Sequence, residues 1–281
     1  MAIAVRATNE RTLTNLYAQL KQQMETGDII EVFGDQEPFA EKMLRVYKWC
    51  LLQNLPISLV IDADILLRKS ALKNIRKKFE SLPSHCSGFG VMLFDRYFKR
   101  PKFRGLHIYR TCFLNLYIQN LPKVIDSLRP ETDLKKIVGN LGHPHDNGFV
   151  NFYVAGLHDY DQWYRDIYFK MLIRSHRSPE LIAINYIPDD ETQELKTALQ
   201  AIKDGQKIKE LTLDKKKIVL SEPFPPQKAL NDDIDVDLKV KNALKRHYGW
   251  SLFYYAGLYL CLDKFFLSYL RFRNRFKSQS C

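Results

Sequence analysis

Two aspartates close an apolar run: Asp62 and Asp64 follow Ile57-Ser58-Leu59-Val60-Ile61. Side chains two apart in an extended segment point the same way, so both carboxylates are expected to face one ion. Hard divalent cations such as Mg²⁺ or Mn²⁺ prefer oxygen ligands and often complete their shell with phosphate oxygens. The chemistry this suggests is neutralisation of a diphosphate as the bond to it breaks. Asp-x-Asp alone is a short pattern that arises by chance. The apolar strand before it and the helical segment Ser70 to Phe79 after it single this one out.

A second constellation is Gly156-Leu157-His158-Asp159-Tyr160. A neighbouring imidazole and carboxylate suit either a metal shell or proton removal. The competing reading is a helix cap, with Asp159 or Asp161 capping a helix through Gln162 to Arg174 and His158 merely hydrogen-bonded. His143-Pro144-His145-Asp146-Asn147-Gly148 has metal-binding types but is also an ordinary turn sequence. Arg110, in Gly105 to Arg110, could pair a phosphate, or that segment could be purely structural.

The elements that must position these groups read as alternating strands and helices. Ala2 to Ala7 is a first strand, Thr12 to Met24 a helix, and Ile29 to Phe33 a second strand. Pro38 opens a helix to about Gln53, with Phe39, Met43, Val46 and Trp49 inward. The continuous apolar run before Asp62 is that of a central strand covered on both faces. Gly88 to Phe94 and Gly105 to Tyr109 are further strands, and Phe113 to Ile118 a helix. Phe149 to Gly156 has strand character, Asp189 to Asp204 that of a charged surface helix, and Lys215 to Leu220 that of a basic strand. The order predicts an α/β sheet with right-handed crossovers, in which ligands bind beyond the carboxyl ends of the strands.

With 281 residues, 46% hydrophobic and 27% charged, the chain has the composition of a globular protein rather than a disordered one. Its formal charge of +11 points to a polyanionic partner. The five cysteines form no CxxC pair, which argues for reduced thiols and against structural zinc. Met1 to Ala18 lacks an apolar stretch suited to a signal peptide, so a cytoplasmic location is expected.

The opening strand Ala2 to Glu10, the second strand ending Val32-Phe33-Gly34-Asp35, and Ser58 to Ile65 with its DxD segment together resemble GT-A-fold glycosyltransferases, including the family 2-like enzymes. The resemblance covers roughly residues 2–82 and extends loosely to about His176. It implies a Rossmann-like, mostly parallel sheet flanked by helices, with a catalytic domain over 1–220. It also implies a nucleotide-sugar donor, a glycan or lipid-linked acceptor, and Mn²⁺ or Mg²⁺ held by Asp62, Asp64 and a late histidine, His158. Thr8, Asn9, Glu10 and Asp35 would contact the nucleotide, and Asp159 would act as base. The family's usual opening is replaced here by Arg6-Ala7-Thr8-Asn9, and its glutamine-arginine-arginine-tryptophan motif is absent.

Residues 221–281 read as a proline-containing linker and a basic, aromatic C-terminal helix. Gly249 to Leu262 is shorter than the roughly twenty residues a spanning helix needs. Two roles remain open for it: a helix lying on an anionic membrane surface, or a packing helix within the protein or a homo-oligomer. A sugar nucleotidyltransferase is a competing function, but the first loop, Thr8 to Thr12, has no glycine. Nucleic-acid binding through Lys69 to Lys78 and the tail is another. It is not favoured, since no recognition motif accompanies the charge.

Overall fold

The computed structural model describes residues 1–34, 38–96, 100–125, 127, 130–146, 153–160, 162–177, 193–207 and 234–248. Asp35, Asp161, Asn147 to Phe152, the basic strand Lys215 to Leu220, the linker and the aromatic tail beyond Tyr248 lie outside the described residues.

The chain begins β1 (Ala2–Arg6), α1 (Leu13–Gln23), β2 (Ile29–Phe33), α2 (Phe39–Leu52) and β3 (Ile57–Asp62). It continues with β4 (Ile65–Leu67), α3 (Ala71–Glu80) and the hairpin β5 (Gly88–Asp95) and β6 (Arg100–Arg110). Then come α4 (Leu114–Asn120), α5 (Pro130–Asn140), β7 (His145–Asp146), β8 (Val154–His158) and α6 (Tyr164–Arg177). Two further helices are α7 (Gln193–Lys207) and α8 (Val236–Tyr248).

One sheet runs in the order β2-β1-β3-β6-β5-β8-β4, with β7 beside β5. The expected mostly parallel sheet is instead mixed. β1 lies parallel to β2 and β3, and β5 parallel to β8, but β3–β6, β5–β6 and β4–β8 are antiparallel. The connection from β5 to β6 is too short for a crossover, which forces a hairpin.

Only Ala63 and Asp64 separate β3, in the middle of the sheet, from β4 at its edge. Consecutive Cα atoms are about 3.8 Å apart, so the start of β4 lies within ~11 Å of the end of β3. The sheet therefore curls, and Asp64 sits at the bend.

β3 shows why the strand signal was legible. Leu59 and Ile61 point into a core with Leu16 and Leu20 of α1 and Leu72 and Ile75 of α3. Val60 points into the opposite core, with Met43, Val46 and Tyr47 of α2, Tyr117 of α4 and Leu134 of α5. Both faces are covered, so no polar alternation marks the strand. Phe39, expected inward, is 46% exposed and lies against the Arg6 guanidinium.

α7, expected at the surface, buries Ala198 and Ala201 against Ile167, Phe169 and Leu172 of α6. α8 begins beyond the expected catalytic domain yet packs Val236 and Val240 on Leu66, Phe94 and Leu157 of the sheet. Among the described residues no helix is long and apolar enough to cross a membrane.

Candidate functional site

The bend after β3 divides the two aspartates. Strand alternation ends at Asp62, and the turn at Ala63 and Asp64 breaks the parity that would have kept both carboxylates on one face. The turn is fastened by Ala63 N–H donating to Arg6 O at 2.9 Å and by the buried Thr12 hydroxyl donating to Ala63 O at 2.6 Å.

Asp64 belongs to a group with His158 and Asp159. One ligand atom from each of these three residues lies within 4.8 Å of the others, and all three residues are buried. The sheet register explains the grouping. β4 pairs antiparallel with β8, Ile65 opposite His158, so the next residues out, Asp64 and Asp159, are neighbours, with Asp159 N–H donating to Asp64 O at 3.1 Å. β5 flanks β8 on the other side and places Asp95 opposite His158.

Asp159 adopts a φ of 60°, a left-handed conformation that costs a non-glycine residue free energy and is common at functional positions. Its carboxylate is engaged by His158 Nδ1 at 3.2 Å and by the Lys170 ammonium. α6 starts only at Tyr164, so the helix-cap reading of Asp159 does not describe these contacts.

His158 Nδ1 lies 3.3 Å from Asp95 Oδ2, while its Nε2 faces Asp64 at 3.8 Å. Burial alone would lower the imidazole pKa. The nearby Asp159 and Asp64 carboxylates, with hydrogen bonds to Asp159 and Asp95, outweigh it and raise the value to about 10. Lys170, on α6, donates to Asp64 Oδ2 at 2.5 Å, to Asp159 Oδ1, and to Gln162 Oε1 at 3.1 Å.

The donor set fits a divalent cation. Two carboxylates and one imidazole supply oxygen and nitrogen ligands, and the imidazole's other nitrogen faces carboxylates that would orient it. Among the described residues Asp64 Oδ1 is buried without a hydrogen-bond partner, which leaves a carboxylate oxygen available to a cation.

Asp62 belongs to a separate network. Arg6 Nε donates to Asp62 Oδ1 at 2.7 Å, and Arg6 Nη2 lies 3.5 Å from Glu131 Oε2. Burial pushes the Asp62 carboxyl up and Arg6 pulls it down. Asp64 and Glu131 push it up again, leaving it at about 6.

Glu131 also takes hydrogen bonds from Tyr109 Oη at 2.9 Å and His107 Nε2 at 3.1 Å. On the other His107 nitrogen, Lys135 Nζ lies 2.7 Å from Nδ1. Those partners fit a neutral His107 with its proton on Nε2. Burial is the chief cause of its lowered pKa of about 4; Glu131 opposes the shift and Lys135 adds to it. Gly105, at φ +58°, packs on Asp62 so closely that a Cβ would come 2.8 Å from Oδ2.

Of the residues expected at the nucleotide, Thr8, Asn9 and Glu10 form the exposed loop at the carboxyl end of β1. Thr8 N–H and Oγ1 both donate to the Glu10 carboxylate at 2.6 Å. Asn9, at φ 70°, accepts at its carbonyl from Trp163 Nε1 at 2.8 Å, which ties the loop to the start of α6.

Arg110 is directed elsewhere. Its guanidinium binds the carbonyls of Leu82, Pro83 and Cys86 and lies over Phe79, so it holds a turn. His143 and His145 also stand apart from the group: His143 on the His85 carbonyl, His145 half-buried against Tyr109 and His107.

Sequence reasoning missed Asp95 and Lys170. Asp95 carries the same signature as Asp62, an acid ending an apolar run, Gly88 to Phe94. Lys170 is a lone cation among Tyr168, Phe169, Met171 and Leu172, a pattern that signals a buried partner. Fold and site together define an α/β protein with a buried Asp-His-Asp group capable of holding a metal ion at the bend of a mixed sheet. Neither protein-family models nor the curated proteins yield a match to this chain.

Proposed function

We propose that this protein is a glycosyltransferase of GT-A type that takes a sugar from a nucleotide-diphosphate donor to a glycan or lipid-linked acceptor. The observation that carries this reading is the Asp64–His158–Asp159 group. It lies at the bend after β3, while the exposed Thr8–Glu10 loop lies at the carboxyl end of parallel β1.

Asp64 and His158 Nε2 would hold Mn²⁺ or Mg²⁺, with Asp159 as a third ligand. Such an ion supplies neutralisation of the charge that builds on a departing diphosphate. Asp95 accepts from His158 Nδ1 and thereby turns Nε2 toward Asp64. Asp62, held by Arg6 at the end of β3, is suited to receive a hydroxyl of the donor rather than the ion. Asp159 is 0% exposed and already engaged, so in this reading it serves the cation site rather than acting as base.

The test is calorimetric titration of UDP, GDP and CDP with and without Mn²⁺, on wild type and Asp64→Ala. The expected result is binding of one nucleotide that needs Mn²⁺ and is lost in Asp64→Ala. Absence of metal-dependent binding for all three nucleotides overturns the reading.

A further inference from the structure

Resting on that metal-dependent reading, we propose that Lys170 exchanges partners. Its ammonium neutralises Asp64 and Asp159 when no metal is bound, and moves to the diphosphate of a nucleotide when a divalent cation takes those carboxylates.

Lys170 Nζ sits on Asp64 Oδ2 and Asp159 Oδ1, two of the three side chains in the candidate cation group. An ammonium and a divalent ion repel each other and compete for the same oxygens, so one must give way. The ammonium is an incomplete counter-ion, because Asp64 Oδ1 stays buried without a hydrogen-bond partner among the described residues. Its third contact among the described residues is the neutral Gln162 Oε1 at 3.1 Å, a weaker hold on an ammonium than a carboxylate.

Release is open to it. The Lys170 side chain is 25% exposed while Asp64 and Asp159 are far more enclosed, and its stem is four flexible carbons long. The helix that carries it is tied through Trp163 to Asn9 in the β1 loop, where the nucleotide is expected. A diphosphate is the anion that a metal-bound nucleotide would bring to a lysine freed from two carboxylates.

Mn²⁺ binding, read from the electron paramagnetic resonance of free Mn²⁺, and nucleoside diphosphate binding at saturating Mn²⁺ test the exchange. Lys170→Met is expected to bind Mn²⁺ about 10-fold more tightly and to bind the preferred member of UDP, GDP and CDP about 10-fold more weakly. Lys170→Arg is expected to keep nucleotide affinity within about 3-fold of wild type. A merely structural lysine would weaken both ligands together, so opposite signs are the signature.

Loss of both affinities, or no change in either, overturns the exchange. If wild type binds Mn²⁺ and Asp64→Ala does not, that failure leaves the metal reading standing. If wild type itself binds no Mn²⁺, both fall.

Discussion

Replacing Arg6 by methionine removes the guanidinium that lies between Asp62 and Glu131 and leaves two carboxylates facing each other without it. Arg6 is 5% exposed and makes a 2.7 Å bond to Asp62 and a 3.5 Å contact to Glu131. Removing one partner of a buried ion pair costs roughly 3–5 kcal/mol, and the partly exposed Asp62 places the loss near the lower end, about 3 kcal/mol. That is a large fraction of a typical folding free energy of ~5–15 kcal/mol.

The loss carries a pH signature. Asp62 already titrates at about 6 with Arg6 present, above its ordinary value of 3.8, and goes higher without it. The folded state then binds a proton that the unfolded state does not. The variant therefore recovers stability as pH falls through the folded pKa and is weakest above it.

Urea unfolding followed by tryptophan fluorescence at pH 5, 6.5 and 8 should show the deficit of Arg6→Met shrinking toward pH 5. Adding Glu131→Gln should recover part of it, because the second carboxylate no longer stands charged. A loss below about 1 kcal/mol, equal at all three pH values and additive with Glu131→Gln, would refute the network.

Asp64→Asn should weaken Mn²⁺ binding by about 100-fold and Asp62→Asn by less than about 5-fold, measured by electron paramagnetic resonance; equal losses would contradict the division between the aspartates. His158 titrates near 10, so Mn²⁺ binding at pH 7.5 should release about one proton. Titration calorimetry in two buffers of different ionisation enthalpy checks this, and identical heats would exclude His158 as a ligand. A Cβ at Gly156 would stand 2.0 Å from the Leu66 carbonyl oxygen, so Gly156→Ala should lower the melting temperature by several degrees or abolish soluble expression. Gly34→Ala, with nothing within 4 Å among the described residues, should change it by less than about 2 °C.

Much of the amino-terminal half was legible because its elements are local. β1, α1, β2, α2 and β3 each show their own period or apolar run, and those segments fall where expected. The mixed character of the sheet was hidden, because strand direction depends on where a segment docks and not on its composition. β4 is only Ile65–Leu67, too short for any period, and its place at the far edge follows from the curl of the whole sheet. α5 escaped notice although it carries Glu131 and Lys135, whose partners Arg6 and His107 are remote in sequence.

The Asp-x-Asp pattern reads as a pair because two residues apart means the same face, a rule that holds only while the strand continues. Here it stops at the first aspartate. Asp62 remains a strand residue, with its charge held by Arg6 and its space closed by Gly105. Asp64 becomes a turn residue, carried by the curl of the sheet onto the end of β8, where His158, Asp159 and Asp95 converge.

One short motif thus supplies two environments, one anchored to a guanidinium and one exposed to a cation or an ammonium. The separation has a functional consequence. A charge change at Asp64 reaches Asp62 through the electrostatic coupling that already raises the Asp62 pKa. Cation binding at Asp64 should therefore lower that pKa and favour the ionised carboxylate, linking the state of one half of the site to the other.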